Sequence, residues 1–462
     1  MSTFTVTSRY LCLVENHGKV VAYLSLTTLL LVFLQRLIVS DAQIDWDEEV
    51  YFQIARLWRH GAIPYRDIFD IKPPMIYIFY MLTSFGEQIF WTRFVAAFLL
   101  IYSAFHTFRV LRRKSYITTD ESLFLTAALC VVISIGPGSG TNLESAYIPF
   151  ELLSFGFLLN KKPWPAGMCA GIVIAVKYTA IIDLLGLGGA YWILTTRDIG
   201  RTRCIVTWGS IALAFSALEY GAFYIYFARH GINLLEAIVY RNLTHARSSS
   251  MSILSSGSFV LPFALLAVGT TLTIAMLSGF KTKGTCLLYA SLPWIGLSLI
   301  QACVTRQYFY HYALPVFIPV SIAWAAFTPS RQYFVILAAC LFCFECSQIP
   351  ASLRLKDEYQ KNVARYRSLC SLINDNGYVL THFLAAYRVC NTLTVDRFMM
   401  PPFYLEEHFV KVSQSGGLES FRSKFRRGQI AFIVSTPAIW QEVSPVLGGE
   451  SDRVKLVPDI WE

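Results

Sequence analysis

The sequence has 462 residues, of which 55% are hydrophobic and only 15% are charged; its mean hydropathy is +0.48 and its formal net charge is +9 at pH 7. An ordinary soluble domain carries about 25% charged residues, so this composition argues against a soluble enzyme. Much of the basic excess lies in short loops between apolar runs, which indicates membrane orientation and not a nucleic-acid partner.

Apolar runs of roughly 17–25 residues recur along the chain, and each is long enough to cross about 30 Å of hydrocarbon as a helix. The first, at residues 21–40, is too long and too poor in small cleavage-site residues for a secretory signal, so we predict a retained helix. Placing basic loops on the cytoplasmic side gives about eleven transmembrane helices within residues 1–350. The loops that define this inner face lie at residues 112–114, 161–162, 197–203, 281–283 and 331.

The first predicted outer loop, residues 41–74, opens with a helix signal. Asp45 is a good N-cap and Glu48 completes a capping-box pattern, while Gly61 marks the helix end. Apolar and polar residues fall on opposite faces at helical spacing, which predicts an amphipathic helix on the membrane surface. Asp47 and Glu48 sit in its first turn, where carboxylates complement the helix dipole whether or not they are catalytic.

After this helix, the sequence Lys72-Pro73-Pro74 fixes the backbone and can begin another helix. Lys72 is thereby held on a stiff segment at the membrane interface. Two interpretations remain open at this point: the side chain extends to the headgroups, or its ammonium meets the phosphate of a lipid carrier. The stretch that follows, residues 74–90, is short and aromatic-rich, so we expect it to lie in the interface or to re-enter.

Residues 351–462 differ in kind from the rest of the chain. A charged, helix-permissive stretch at 356–374 precedes short apolar segments at 378–383 and 429–434, and turn-rich sequence separates them. This alternation predicts a small C-terminal α/β domain outside the cytoplasm. Cys370 and Cys390 lie in it and can pair in an oxidising compartment, although the sequence does not show that they are close.

Four passages in a fixed order carry a family resemblance. They are Asp47-Glu48-x-x-Tyr51 with Lys72-Pro73-Pro74, the Gly-Thr-Asn-Leu-Glu of 140–144, a glycine-rich stretch at 167–177 ending in lysine, and an aromatic-His-Tyr loop at 307–315. Together they resemble the protein mannosyltransferase and aminoarabinose transferase superfamily, over roughly residues 20–330. These are glycosyltransferases of the C-type (GT-C) membrane fold that use polyprenyl-phosphate sugars. The bacterial members, including relatives of lipopolysaccharide galacturonosyltransferases, are the most similar.

The resemblance implies roles for ten residues. Asp47 would be the catalytic carboxylate, with Glu48 supporting it, in an inverting transfer. Three cations would stabilise the donor phosphate as it leaves: Lys72, Lys177 and Arg306. The residues expected to bind substrate are Tyr51, Asp70, Glu144, His311 and Tyr312.

Alternatives stay open for several of these positions. Lys177 could simply extend to the membrane surface, and Glu144 could bind sugar hydroxyls, a divalent metal or the acceptor, or be a solvated loop charge. His311 could be a stacked interfacial histidine or a catalytic or metal-binding one. No tight ligand spacing appears in the sequence, so the cofactor is unknown and a divalent metal remains open.

The leading hypothesis is therefore an enzyme that moves a sugar from a polyprenyl-phosphate carrier to a lipid or glycan acceptor, embedded among membrane lipids. The expected location is a bacterial inner membrane, with the active site on the periplasmic face. One rival is a lipid-linked sugar flippase, which should show inverted repeats and broken helices. Another is a polysaccharide polymerase or ligase, in which we expect a long outer loop late in the membrane region.

Overall fold

The structure is a computed structural model that describes residues 3–39, 41–42, 44–134, 140–196, 198–248, 284–304, 310–326 and 331–376, and short pieces between 379 and 434. Helices dominate these residues. In chain order they are α1 Thr3–Ile38, α2 Trp46–Arg59, α3 Pro74–Thr83, α4 Ile89–Arg113, α5 Thr119–Ile133, α6 Leu143–Leu159, α7 Pro163–Val176, α8 Ile181–Leu194, α9 Arg201–Arg229, α10 Arg241–Ser248, α11 Gly284–Val304, α12 Phe317–Trp324, α13 Arg331–Asn376 and α14 Ala385–Val389. Two short strands are β1 Val379–Thr381 and β2 Phe432–Val434.

Several helices have the length and composition of membrane spans. Within the described residues, five helical segments qualify: His17–Ile38, Ile89–Arg113, Arg201–Arg229, Thr285–Val304 and Phe334–Ala364. Helix α3 has only 10 residues, about 15 Å, or half the hydrocarbon thickness, which agrees with the expected interfacial or re-entrant segment. The predicted polytopic helical architecture is confirmed, and the count of about eleven helices stays a prediction.

The chain forms two compact units. The first contains residues 1–38, 92–220 and 251–352, and the second contains residues 39–91, 221–250 and 353–462. The predicted domain boundary near residue 350 is not tested by this division and stays a prediction. Helix α13 runs through that position without a break.

Within the first unit, small residues let helices approach closely. A Cβ on Gly186 of α8 would lie 2.8 Å from the Trp294 ring of α11, and one on Gly167 of α7 would lie 2.7 Å from Ile211 of α9. Such contacts are typical of helices that pack in membranes, where apolar burial drives association little. The glycine-rich stretch at 167–177 therefore serves packing of α7 before it ends at Lys177.

Within the second unit, α2 packs against α3 and against the short tail helix α14. Strands β1 and β2 pair in parallel, with Leu380 opposite Ile433, and a disulfide joins Cys370 to Cys390. The strands coincide with the two apolar segments predicted in the tail, and the small α/β domain there stays a prediction. Most of residues 391–462 lies outside the described part of the chain.

Candidate active-site residues

Helix α2 begins directly after the N-cap that its sequence predicts. Asp45 is the N-cap in extended conformation, and its side chain accepts a hydrogen bond of 3.2 Å from the backbone N–H of Asp47. The first turn then carries three consecutive carboxylates, Asp47, Glu48 and Glu49. Glu48 and Glu49 are completely buried, whereas Asp47 is half-buried. Asp47 thus keeps the access to a substrate that its predicted role requires.

The buried Glu49 carboxylate is held by an arginine of the tail. In Arg388 of α14, Nη2 lies 2.7 Å from Glu49 Oε1 and Nε lies 3.3 Å from Oε2, so the guanidinium grips both oxygens. The same Nη2 donates to the backbone carbonyl of Asp41 at 2.8 Å. Burial lowers the pKa of Arg388, but the Glu49 charge and its hydrogen bonds raise it more, so the net shift is upward. Arg388 therefore fixes the first turn of α2 to the chain just before it.

The Lys72 segment is rigid at its backbone. The Tyr65 hydroxyl donates to the Lys72 carbonyl at 2.6 Å, and the Asn242 amide of α10 donates to the neighbouring Ile71 carbonyl. Pro73 is the N-cap of α3, with φ −58° and ψ 145°, and a proline opens the helix. These contacts hold the backbone on both sides of the Ile71–Lys72 peptide bond, and the placement of Lys72 at the membrane interface stays a prediction. Its side chain is half-buried.

Asp70 is buried beside this segment. Its Oδ2 accepts a 2.7 Å hydrogen bond from the Tyr77 hydroxyl, and its Oδ1 accepts one of 2.6 Å from the Ile71 backbone N–H. Burial raises the pKa of Asp70, while the charge of Lys72 and the Tyr77 hydrogen bond lower it and the charge of Asp47 raises it again. Asp47 and Lys72 therefore both lie within electrostatic reach of Asp70. We call these three the loop cluster.

Tyr51 supports the loop cluster from α2. Its ring centroid lies 6.2 Å from that of Tyr77 and 6.1 Å from that of Tyr80, both on α3. The buried tyrosine therefore packs the two helices together, beside the residue that bonds Asp70. Arg241, the first residue of α10, stacks over the Phe69 ring at 5.0 Å from its centroid. Arg306, predicted to bind donor phosphate, lies outside the described residues.

Four predicted residues meet in the first unit. Asn142 caps α6 by accepting a 2.9 Å bond from Ser145 N–H, which places Glu144 in the first turn. The ammonium of Lys177 contacts Glu144 Oε1 and lies 4.2 Å from the Tyr312 ring centroid. His311 Nε2 lies 4.0 Å from Glu144 Oε2. We call Glu144, Lys177, His311 and Tyr312 the Glu144 cluster.

The Glu144 cluster resolves two of the open alternatives. Glu144 is 1% exposed and is no solvated loop charge, and Lys177 is 10% exposed and paired with it, so Lys177 does not extend to the membrane surface. Glu144 Oε2, Asn142 Nδ2 and Ser145 Oγ are buried without a hydrogen-bond partner. Buried polar atoms are nearly always paired in folded proteins, so these atoms are suited to a polar ligand. Among the described residues, no three potential ligand side chains cluster around a metal position.

A line of buried polar residues continues from Glu144 along α6, and sequence reasoning missed it. Glu151 follows on α6 and is fully buried, as is Asp183 of α8, which accepts a hydrogen bond from Ser298 of α11. Tyr147 lies between Glu144 and Glu151 on the same helix and accepts a 2.8 Å bond from a glutamine of α11. Carboxylates inside an apolar run were the available signal, because such residues are costly there.

Comparison with solved structures identifies the fold, whereas comparison of sequences finds no match. Neither a family model nor a curated protein sequence matches the chain. The crystal structure of ArnT from Cupriavidus metallidurans bound to undecaprenyl phosphate is similar, with a TM-score of 0.63 at 13% identity, covering 92% of this chain and 94% of that one. The chain has the C-type glycosyltransferase fold. The apo structure of the same ArnT gives a TM-score of 0.45 at 12% identity over the same coverage.

This fold agrees with the one implied by the resemblance in the sequence, and it accords with the apolar spans described above. At 13% identity the likeness establishes architecture and leaves the roles of individual residues to their own chemistry. The GT-C fold therefore provides the helical scaffold, and the loop cluster and the Glu144 cluster are the two groups of residues to which chemistry can be assigned.

Proposed function

We propose that the chain is a glycosyltransferase that moves a sugar from a polyprenyl-phosphate carrier to a lipid or glycan acceptor on the outer face of the membrane. The observation that carries the proposal is the loop cluster. In it, the charges of the half-buried Asp47 and of Lys72 both reach the buried Asp70. The bound undecaprenyl phosphate of the similar ArnT structure supports a carrier of this class.

Asp47 is the proposed base. Its carboxylate removes the proton from the acceptor hydroxyl while that oxygen forms a bond to the anomeric carbon of the donor. The bond from this carbon to the phosphate oxygen breaks, and its electron pair stays on the phosphate oxygen. The configuration at the anomeric carbon is thereby inverted. Glu48, buried next to Asp47, supports the geometry of this turn.

Lys72 is the proposed partner of the leaving phosphate. Charge grows on the phosphate oxygen as the bond to the sugar breaks, and a preorganised cation lowers the barrier. The hydrogen bonds to the Ile71 and Lys72 carbonyls hold the backbone in place before the donor arrives. Asp70, gripped by Tyr77, keeps a carboxylate near this cation.

The Glu144 cluster is proposed as a binding group for polar parts of a substrate. Glu144 supplies a carboxylate oxygen without a hydrogen-bond partner, and Lys177 supplies a cation oriented by that carboxylate. The Tyr312 ring lies beneath this ammonium and stabilises it by a cation–π contact. The carboxylate and the cation together suit the hydroxyls and the charge of a sugar phosphate.

The test of the donor assignment is Lys72→Gln. Purified protein in lipid nanodiscs is titrated with polyprenyl phosphate, and transfer is measured with a radiolabelled polyprenyl-phosphate sugar. We expect donor binding to weaken by about tenfold or more, because a charge-assisted contact to phosphate is lost. Lys361→Gln, an exposed lysine of the same unit, is the matched control and should bind like the wild type.

Donor binding that is unchanged in Lys72→Gln would contradict the assignment of this lysine. The assay also separates the rival functions. A flippase would move the intact lipid-linked sugar across a vesicle bilayer without releasing polyprenyl phosphate. Release of polyprenyl phosphate in proportion to glycosylated acceptor is the result expected of the proposed enzyme.

A further inference from the structure

A second candidate binding site lies in the first unit, at the end of α7 remote from Lys177. It is a cavity of about 280 Å³, whereas a single water needs roughly 10–15 Å³ by the same kind of measure. Because α7 has 14 residues, about 21 Å of helix separates this cavity from the Glu144 cluster. Its lining residues include Lys161, Pro163, Trp164, Tyr191, Arg201 and Arg203.

The groups that line the cavity favour the binding of an anion. Two helices, α7 and α9, begin at its wall with Pro163 and Arg201, and helix N-termini present unpaired N–H groups and a positive dipole end. Lys161, Arg201 and Arg203 add three cations. Asp198 is the opposing charge: one of its oxygens lies 3.3 Å from Lys161 Nζ. Cations therefore outnumber carboxylates among these groups.

Two buried donors in the cavity wall have no partner. The Tyr191 side chain is fully buried, and its hydroxyl makes no hydrogen bond. The Arg201 guanidinium stacks over the Trp192 ring at 4.1 Å, and its buried Nη1 makes no hydrogen bond either. Buried polar atoms are nearly always paired, so the oxygens of a bound group would accept the hydrogen bonds that these two donors can make.

The surroundings favour a lipid as the source of that group. The apolar span of α9 begins at Arg201, so the cavity lies at the level where a membrane changes from hydrocarbon to headgroups. Trp164 and Ile199 line the same cavity and are 67% and 99% exposed, which suits contact with lipid chains and the interface. Basic pockets of this kind between transmembrane helices bind anionic lipid headgroups.

We propose that this cavity binds the phosphate group of an anionic membrane lipid. The phosphate oxygens accept hydrogen bonds from Arg201 Nη1, the Tyr191 hydroxyl and the N-terminal amides of α9, and Lys161 and Arg203 balance the charge. By the positive-inside rule the site faces the cytoplasm, because the predicted inner loops at 161–162 and 197–203 form its wall. This binding does not depend on the chemistry proposed for the loop cluster.

The experiment counts bound lipid by native mass spectrometry of the full chain, released from detergent and titrated with phosphatidylglycerol. The variant Lys161→Gln/Arg201→Gln/Arg203→Gln should bind phosphatidylglycerol about tenfold or more weakly. Tyr191→Phe removes one hydroxyl from a buried ring and should weaken binding by about threefold, with little risk to folding. Phosphatidylcholine, whose choline cation meets the basic wall, should bind wild type more weakly than phosphatidylglycerol.

The matched control is Arg112→Gln/Arg113→Gln/Lys114→Gln. It removes three positive charges from another predicted inner loop that does not line the cavity, and it should bind like the wild type. Equal binding by the two triple variants would overturn the proposal. Displacement of phosphatidylglycerol by an equal concentration of inorganic phosphate would assign the cavity to free phosphate and overturn the lipid assignment. Resistance to millimolar phosphate is the expected result.

Discussion

Replacing Arg388 with methionine removes the guanidinium that grips Glu49 and the Asp41 carbonyl. Methionine keeps an unbranched apolar side chain in the same space, so the change is mainly one of charge and hydrogen bonding. Glu49 then remains as a carboxylate with no exposed surface and without its cation. We expect the first turn of α2 to open more often, because that is the simplest way for the carboxylate to reach water.

The size of the effect follows from burial. Removing one partner of a buried ion pair destabilises a protein by about 3–5 kcal/mol. Arg388 is 12% exposed, so some solvent already screens the pair, and we expect the lower end, about 3 kcal/mol. An energy of about 3 kcal/mol corresponds to roughly a 100-fold change in an opening equilibrium.

The assay is hydrogen exchange of the α2 backbone amides in detergent, followed by mass spectrometry. Arg388→Met should speed exchange in α2 by about 100-fold wherever exchange occurs through local opening. Arg367→Met is the matched control, since Arg367 is an exposed arginine on α13, and it should leave α2 unchanged. The double variant Glu49→Gln/Arg388→Met removes both charges, so it should exchange more slowly than Arg388→Met alone.

Additive effects in the double variant would refute this reasoning, because coupling between the two residues is what the geometry requires. The same would follow if Arg388→Met exchanged like Arg367→Met. Either result would mean that Glu49 is stabilised by something other than the tail arginine.

Two further predictions concern the second unit. The Cys370–Cys390 disulfide closes a separation of 20 residues, so Cys390→Ala should lose about 3 kcal/mol, and a reductant should lower the melting temperature of wild type but not of this variant. Burial raises the pKa of Glu87, but hydrogen bonds from Arg56 at 2.8 Å and from His60 at 2.6 Å lower it by more. The net pKa of Glu87 therefore lies below its usual 4.5. The contribution of Glu87 to the free energy of unfolding is present above pH 4.5 and is lost as the pH falls through the lowered pKa. Between pH 6 and pH 3 the melting temperature should therefore fall more in wild type than in Glu87→Gln. Parallel curves of melting temperature against pH would contradict the lowered pKa.

Local signals predicted the start and end of elements well. Asp45 caps α2, Gly61 follows its end with φ +94°, and a proline opens α3, as the sequence indicated. Each of these depends on a few neighbouring residues whose backbone preferences are strong. The resemblance likewise anticipated that Glu144 and His311 are functional candidates, and the structure brings them together.

Long-range partners were not predictable from the same signals. Glu49 and Arg388 are 339 residues apart, and nothing in either local sequence identifies the other. The polar face of α2 was expected to lie on a membrane surface, yet its residues are buried by protein contacts that only the folded chain provides. Asp183 and Ser298 present the same difficulty, because an isolated carboxylate in an apolar run does not reveal which helix supplies its hydrogen bond.

The central claim is that Asp47 removes the acceptor proton, and single-turnover transfer by Asp47→Asn tests it most directly. The variant is mixed in excess with a radiolabelled polyprenyl-phosphate sugar and acceptor, with Asp357→Asn, an exposed carboxylate of the same unit, as control. We predict that transfer slows by about 10²- to 10⁴-fold in Asp47→Asn, with donor binding retained. A rate equal to that of Asp357→Asn would contradict the account.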